Sequence, residues 1–292
     1  MSRPRILIQL DPDAHASVFD AVVAIDSGVD QLLSYSGVKS ADVQALVHGA
    51  IFTRGMRDLA STAIFIGGSN VAEGEALLAK TLESFFGPLR VSVMLDSNGA
   101  NTTASAAVLA AARHLDLSGI TAAVLAATGP VGQRVVRLLA RCGAKVRVAS
   151  RSQARAEEVC RAVAERVASA ILMPCATADA AATAHVLDGA DLVVAAGATG
   201  VELIADEVRK AARSLKVAID LNAVPPSGIG GVAPGDSAAQ HNGALCYGPI
   251  GVGGIKMKIH SACIERLFQA NSQVLDAEEI FAIGRELESS KK

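Results

Sequence analysis

The chain has 292 residues, 51% of them hydrophobic, and a formal net charge of −2 at pH 7. This length accommodates one large or two ordinary domains, and 3% aromatic residues without a basic block argue against nucleic-acid binding. Five scattered cysteines without a C-x-x-C pair predict reduced thiols and no metal site. Because no apolar run reaches membrane-spanning length and the N-terminus lacks a signal-peptide cleavage region, we expect a cytoplasmic protein that does not enter the membrane.

The first hundred residues alternate short apolar strands with amphipathic helices, which predicts a separate α/β domain. The predicted strands cover residues 5–10, 62–67 and 91–95, and the predicted helices cover residues 18–25, 40–47 and 72–85. Residues 30–36 are assigned to the connection that leads into the second helix.

A dense polar run, DSNGANTT at residues 96–103, follows the strand at 91–95 and precedes an alanine-rich helix at 104–113. In a parallel sheet, the segment after the carboxyl end of a strand is where ligands bind. A helix cap from Asn101 or Thr102 explains only part of so dense a cluster. We therefore interpret the run as facing a substrate cleft.

Residues 121–152 carry the pattern around which the chain is organised: a strand at 121–127, a glycine turn, a helix at 133–141 and a strand at 145–149. Such a unit is the first half of a dinucleotide-binding fold. The predicted phosphate-binding turn consists of Thr128, Gly129, Pro130, Val131 and Gly132. Gly129 lets the backbone approach a pyrophosphate and Gly132 lets helix and strand pack closely, whereas Ala127 replaces the first glycine of the G-x-G-x-x-G fingerprint.

The residues at the end of the second strand bear on the choice of nucleotide. A carboxylate about 20 residues after the glycines would bind the ribose 2′-hydroxyl of NAD. This position holds Ser150, Arg151 and Ser152 instead, whose hydroxyl and guanidinium groups suit a 2′-phosphate. The three residues also fit an ordinary polar turn, but at this distance from a phosphate turn they favour NADP without excluding NAD.

Strands and helices continue to alternate after this unit, with helices predicted at 153–168 and 177–187 and strands at 170–173, 191–196 and 216–221. Gly197 and Ala198 follow one of these strands and Asn222 follows the next, so we assign all three to the cofactor site. A loop at 225–235 and a glycine-rich turn at 246–254 precede a helix around 259–267 and a closing helix at 276–287.

These elements predict an α/β protein of two domains with the active site in the cleft between them. A Rossmann-type NADP-binding domain is expected at residues 106–249. A smaller α/β substrate domain is expected at residues 1–105, completed by C-terminal helices at 250–292.

Six segments go beyond the generic dinucleotide pattern: SVFDAVV (17–23), STAIFIGG (61–68), FFGPLRVSVMLDSNGANTTA (85–104), TGPVG (128–132), PPSGIGG (225–231) and GVGGIKMKIHSACI (251–264). Together they resemble the NAD(P)-dependent methylene-tetrahydromethanopterin dehydrogenases of bacterial one-carbon metabolism, some of which also accept methylene-tetrahydrofolate. The DSNGxNTTA and GGxKxKxH stretches are specific, whereas the glycine turn is generic. The family usually has glycine where this chain has Ala127.

The resemblance implies that a hydride moves from the methylene carbon of a small pterin substrate to the nicotinamide and leaves a methenyl cation. Since the substrate's own nitrogens expel the hydride, no general base is needed, and a nearby carboxylate would stabilise the developing cation. Asp20 and Asp96, in that order, are the candidate carboxylates, and Lys256 is expected to position the pterin. The predicted substrate-binding residues are Phe19, Asn98, Asn101 and Thr102. The resemblance and the small helices also imply a homo-oligomer.

Three alternatives remain open from the sequence. A folate enzyme that also hydrolyses the methenyl form would need an activated water, for which Lys256 is the only obvious helper. A dehydrogenase of the shikimate type would need a lysine–aspartate pair, and of the two lysines in the N-terminal third, Lys39 and Lys80, only Lys39 is a candidate. A non-catalytic NADP-sensing protein would lack a polar substrate cleft, and the run at 96–103 argues against it.

Overall fold

The computed structural model describes residues 3–290, which divide into two compact units. The first unit comprises residues 3–102 and 257–290, and the second comprises Thr103–Lys256. Residues 1–2 and 291–292 of the predicted substrate domain lie outside the described residues. No helix within 3–290 is long and apolar enough to cross a membrane.

The described residues form strands and helices in alternation along most of the chain. The strands are β1 (Ile6–Leu10), β2 (Gln31–Tyr35), β3 (Thr62–Ile66), β4 (Ser92–Leu95), β5 (Thr121–Leu125), β6 (Lys145–Ser150), β7 (Ile171–Ala176), β8 (Leu192–Ala195), β9 (Val217–Asp220), β10 (Ser237–His241), β11 (Ala244–Tyr247) and β12 (Val274–Leu275). The helices are α1 (Val18–Asp26), α2 (Ser40–Phe52), α3 (Val71–Glu83), α4 (Ala100–Ala112), α5 (Pro130–Arg141), α6 (Gln153–Arg166), α7 (Ala180–Leu187), α8 (Asp206–Ala211), α9 (Pro249–Leu267) and α10 (Ala277–Ser289).

The first unit is built on a five-stranded parallel sheet in the order β12–β4–β3–β1–β2. Every residue of β3 and β4 is buried, as expected of central strands covered on both faces. β2 lies at the edge and is mostly exposed. The assignment of residues 31–35 to a connection is therefore corrected to a strand. The sequence does not reveal this strand because an edge strand with mixed exposure shows no apolar period.

The second unit is built on a seven-stranded sheet in the order β10–β11–β9–β8–β5–β6–β7. Only β10, which pairs with β11, is antiparallel. The chain starts at β5, adds β6 and β7 on one side, and then returns to add β8 and β9 on the other side. Adjacent loops therefore diverge between the carboxyl ends of β5 and β8, which is where nucleotides bind in sheets of this order. The Rossmann-type α/β prediction is confirmed.

Helix α9 corrects the predicted glycine-rich turn at 246–254. It begins at Pro249, which suits the first position of a helix, so most of the glycines and Lys256 are helical. A side chain at Gly248 would collide with the carbonyl of Ala233, and one at Gly251 with the carbonyl of Asp236. Two of the glycines thus serve close packing of the helix against the preceding loop, which the sequence pattern alone could not distinguish from a turn.

Candidate functional site

A cavity of the second unit lies at the carboxyl ends of its central strands. It has a volume of about 420 Å³, and we call it the switch-point cavity. Its walls include five of the predicted cofactor residues, namely Thr128, Ser150, Arg151, Gly197 and Ala198. Four other polar residues of the wall were not predicted as site residues from the sequence, namely Thr177, Asp179, Thr183 and Glu202. Their position shortly after β7 and β8 was the signal that could have identified them.

The turn that enters α5 is tight and packs backbone against backbone. Gly129 is extended and precedes Pro130, the first residue of the helix. An ideal Cβ at Gly132 would lie 2.8 Å from both the carbonyl oxygen of Ala126 and the Cα of Ala127, so only glycine fits there. Ala126, rather than Ala127, has the left-handed backbone, with φ of 53°. The turn thus places strain at an alanine and presents the amino end of α5, which is a favourable place for phosphate groups.

Substitutions of the two turn glycines should differ in their effect on the free energy of unfolding. Gly132→Ala should lower the free energy of unfolding by about 2 kcal/mol, because the new methyl group meets backbone atoms that cannot rotate away. Gly129→Ala should change it by less than about 1 kcal/mol, since its φ of −76° suits alanine. Urea unfolding followed by circular dichroism measures both variants. Equal destabilisation by the two substitutions would contradict this account of the turn.

The segment after β6 supplies the positive charge of the switch-point cavity. Arg151 is exposed and lines the cavity, while Ser150 is buried and its Oγ accepts from the backbone N–H of Ser152 at 3.3 Å. Ser152 in turn caps α6, since its Oγ accepts from the backbone N–H of Arg155 at 3.4 Å. The guanidinium of Arg151 is therefore the group of this segment best able to reach a ligand. The roles of all three residues stay predictions.

Asn222, one of the predicted cofactor residues, makes three side-chain hydrogen bonds within the fold. Its Nδ2 donates to the carbonyl of Pro226 at 2.9 Å, and its Oδ1 accepts from the backbone N–H groups of Gly200 (3.1 Å) and Val224 (3.2 Å). It lines a separate cavity of about 210 Å³. The side chain ties the loop after β8 to the loop after β9, which favours a positioning role over direct contact with a cofactor.

Asp220, at the end of β9, organises the loop that follows it. The carboxylate is fully buried and accepts from the backbone N–H groups of Asn222 (2.9 Å) and Ile229 (3.0 Å). Burial raises the pKa of the Asp220 carboxyl above its ordinary value, against the opposing effect of these hydrogen bonds. A Cβ at Gly228 would lie 2.6 Å from its Oδ1, so the glycine makes room for the carboxylate. The sequence analysis missed this residue.

In the first unit, the polar run after β4 is largely the amino-terminal cap of α4. Asp96 Oδ1 accepts from the backbone N–H groups of Asn101 (2.9 Å) and Thr102 (3.0 Å), and its Oδ2 accepts from Thr102 Oγ1 (2.6 Å). Asn101 Nδ2 donates to the Leu95 carbonyl (2.6 Å) and to Asp276 Oδ1 (2.9 Å). Asp96, Asn101 and Thr102 are at most 2% exposed. The geometry favours a capping role for all three, and their catalytic or substrate-binding roles stay predictions.

The helix α4 accordingly begins at Ala100 and not at residue 104. The cap uses Asp96 together with Asn101 and Thr102, so capping accounts for more of the polar run than a cap from Asn101 or Thr102 alone would. A carboxylate that accepts two N–H groups and a hydroxyl group needs partners that lie five and six residues along the chain. Such a compact turn is not visible from residue types alone.

Three other candidates of the first unit keep accessible side chains. Phe19, in the first turn of α1, is 51% exposed, and the neighbouring Asp20 is half-buried. Asn98 is exposed and has a left-handed backbone with φ of 55°, which asparagine tolerates better than most residues. Its backbone N–H donates to the carbonyl of Gly68 at 2.6 Å. These side chains lie on segments that follow β1 and β4, at the edge where a parallel sheet binds ligands.

Lys256 is half-buried on α9, one helical turn before His260. His260 is 1% exposed, and its ring stacks on Phe65 at 5.6 Å between centroids with an interplanar angle of 19°. The ring of Phe19 lies 6.4 Å from His260. His260 is therefore part of an aromatic cluster in the core of the first unit.

Two buried cysteines, Cys246 and Cys263, are poorly suited to act as nucleophiles. Burial raises the pKa of Cys246 to about 11 and also raises that of Cys263 well above its ordinary value, which disfavours thiolate formation. Within residues 3–290, His, Cys, Asp and Glu form no group of three that could hold a metal ion.

Comparison with known proteins connects this geometry to a family. A family model described as the N-terminal part of methylene-tetrahydromethanopterin dehydrogenase matches residues 18–98. Two proteins of Methylorubrum extorquens match 97% of this chain. "Bifunctional protein MdtA" is 42% identical over 99% of its own length. "NAD(P)-dependent methylenetetrahydromethanopterin dehydrogenase" is 30% identical over 98% of its own length.

Among solved structures, the ligand-free 5-ketofructose reductase of Gluconobacter sp. strain CHM43 is similar in fold. The match has a TM-score of 0.54 and covers 98% of this chain and 99% of the reductase, at 12% identity. Full-length sequence similarity and the motifs quoted above lead to one conclusion. The chain belongs to the methylene-tetrahydromethanopterin dehydrogenase family.

Proposed function

We propose that this protein oxidises methylene-tetrahydromethanopterin to the methenyl form with NADP as hydride acceptor. The observation that carries the proposal is the switch-point cavity, whose wall contains both Thr128, in the turn that enters α5, and Arg151, within a chain of this family. The relative named as NAD(P)-dependent supports a nicotinamide cofactor. The sheet order and the tight turn both fit such a dinucleotide.

Charge accounting defines what the protein must do in this reaction. The hydride leaves the methylene carbon with both electrons of its C–H bond and joins C4 of the nicotinamide. Positive charge thereby moves to the N–C–N group of the pterin, and no proton is exchanged. We propose that Asp20 stabilises the developing cation and that Lys256 orients the pterin through hydrogen bonds to its carbonyl group. Phe19 and Asn98 would contact the pterin through their exposed side chains.

Two glycines before Lys256 support a substrate role for the start of α9. Apart from the adjacent residues and the backbone of α9 itself, no described atom lies within 4 Å of the ideal Cβ position of Gly253 or Gly254, so packing does not require glycine at either residue. Glycine within a helix costs up to about 1 kcal/mol relative to alanine. We infer that the open backbone surface lets a flat ring approach the helix closely.

The substitution Gly254→Ala tests this inference. It should raise the free energy of unfolding by up to about 1 kcal/mol, because alanine favours the helix, and yet raise KM for the pterin several-fold. Gly49→Ala is the matched control, because Gly49 lies within α2 and likewise has no protein atom within 4 Å of its ideal Cβ. The control should gain similar stability without a change in KM. An unchanged KM for Gly254→Ala would show that no ligand uses this surface.

The oligomeric state and the cellular location of the protein are part of the same proposal. We propose a homo-oligomer, supported by the exposed apolar side chains of Val18, Val22 and Ile25 on α1. We also propose a cytoplasmic location, with which five free cysteines are compatible. Light scattering coupled to size exclusion measures the first property, and fractionation of the source cells measures the second.

A two-by-two rate assay tests the proposed activity. Methylene-tetrahydromethanopterin and methylene-tetrahydrofolate are each supplied with NADP or NAD, and reduced nicotinamide is followed by absorbance. We expect the highest kcat/KM for the methanopterin substrate with NADP. Turnover mainly with the folate substrate would favour the folate enzyme. Tight NADP binding without turnover in any combination would favour the NADP-sensing protein.

A further inference from the structure

Asp11 and Asp20 approach the same glycine. Asp11 directly follows β1 and has no exposed surface. An ideal Cβ at Gly67, which directly follows β3, would lie 3.4 Å from Oδ2 of both aspartates and 3.2 Å from Cε1 of Phe65. The two carboxylates therefore face one point at the carboxyl edge of the first sheet, although they lie on different segments.

A chain of hydrogen bonds connects Asp11 to Asp20 through Ser17. Asp11 Oδ2 accepts from the backbone N–H of Ser17 at 3.0 Å. The Oγ of Ser17 accepts from the backbone N–H of Asp20 at 3.2 Å and so caps α1. Gln9, buried in β1, donates from Nε2 to the Ser17 carbonyl at 3.3 Å. Asp11 and Gln9 thus hold Ser17, the capping residue of α1, by its backbone N–H and its carbonyl.

The same loop leaves little room for Asp11 to move. Its Oδ1 accepts from the backbone N–H of Asp13 at 2.9 Å and lies 3.2 Å from the ideal Cβ position of Gly68. Gly68 has φ of 90°, and its ideal Cβ would lie 2.5 Å from Cδ of Pro12. Both oxygens of Asp11 therefore accept hydrogen bonds from the loop between β1 and α1, while Gly68, in the loop after β3, packs beside them.

We propose that Asp11 is the positioning residue for Asp20: through Ser17 it fixes the first turn of α1 so that the Asp20 carboxylate stays at the Gly67 point. This inference rests on the proposed function, in which Asp20 stabilises the methenyl cation. A displacement of a catalytic group by about 1 Å can cost up to about 100-fold in rate. Because Asp20 acts on a charge that forms during the reaction, Asp11 affects kcat more than substrate binding.

The substitution Asp11→Asn tests the proposal in the full-length enzyme. It should lower kcat about tenfold and leave KM for the pterin and for NADP within about twofold, because the amide no longer accepts from Ser17 as a carboxylate does. In an Asp20→Asn background the same substitution should cost less than about twofold, since the group that it positions is already gone. Asp30→Asn is the matched control, because Asp30 also accepts a backbone N–H, from Arg5 at 2.7 Å, at the opposite end of β1.

Ser17 provides a second route to the same answer if Asp11→Asn fails to fold. Ser17→Ala removes the Oγ that holds Asp20 and should lower kcat several-fold, and Ser17→Thr should restore it because threonine keeps the hydroxyl. Unchanged kcat for Ser17→Ala, or a full multiplicative loss in the Asp11→Asn, Asp20→Asn double variant, would overturn the proposal. Absence of turnover by the wild-type enzyme would instead refute the proposed function itself.

Discussion

Replacing Asp20 with Asn is expected to lower kcat for methylene-tetrahydromethanopterin oxidation by about 100-fold, which is the scale for removing one electrostatic contact to a transition state. The substitution keeps the size of the side chain and removes its negative charge. Since the substrate is uncharged at the reacting carbon and the product is a cation, the carboxylate interacts most strongly after hydride departure. Steady-state kinetics at saturating NADP measure the change, with KM for the pterin expected to move by no more than about threefold.

Asp26→Asn is the matched control for this variant. Asp26 ends the same helix and is exposed. Its substitution removes an equal charge and should leave kcat within about twofold, because a screened charge at the far end of α1 contributes little to the reacting carbon. Full turnover by Asp20→Asn at saturating substrate would remove Asp20 from the mechanism. Asp96 would not replace it without its own evidence, because its carboxylate accepts three hydrogen bonds within the cap of α4.

The second large effect is expected from Arg151→Ala, which should raise KM for NADP by roughly 10- to 100-fold and change KM for NAD little. Loss of charge-assisted hydrogen bonds to a phosphate accounts for this magnitude. Arg151 supplies the cation of the switch-point cavity, whose walls also contain the carboxylates of Asp179 and Glu202. Removing the arginine leaves those negative charges unopposed near the proposed 2′-phosphate, so the preference should turn toward NAD. Initial rates with each cofactor across a range of concentrations measure the ratio of kcat/KM.

Arg155→Ala is the matched control for the cofactor experiment. Arg155 lies in the first turn of α6 and is exposed, but it does not line the switch-point cavity. The control should keep the wild-type ratio of NADP to NAD. If Arg151→Ala leaves that ratio unchanged, the residues Ser150, Arg151 and Ser152 form an ordinary polar turn, which is the alternative that their sequence allowed.

The nucleotide-binding unit was predictable because its signals are local. An apolar strand, a turn with Gly129 and Gly132, and an amphipathic helix follow one another within about thirty residues, as the βαβ unit requires. The family was predictable for a related reason, since its specific motifs are contiguous stretches. The structure adds the physical reason for Gly132, which is the contact with the backbone of Ala126 and Ala127.

Long-range contacts decided what the sequence could not. The polar run at 96–103 has the composition of a binding loop, but in the tertiary structure Asp96 caps the start of α4 and Asn101 donates to Asp276. The glycines after residue 247 have the composition of a turn, but Gly251, Gly253 and Gly254 lie in α9, where Gly251 packs against the carbonyl of Asp236.

Asp11 is another residue whose role is not visible in the local sequence. Nothing in its local sequence distinguishes it from a turn residue after a strand. The pairing of β1 with β3 brings it beside Gly67, fifty-six residues away in the chain, and so near Asp20. Periodicity and turn chemistry thus determined the elements, the nucleotide unit and the family of this protein. The tertiary structure decided which polar groups form hydrogen bonds within the fold and which stay available to a ligand. The reason is that hydrogen-bond partners distant in sequence become neighbours only when the parallel strands bring their carboxyl ends together.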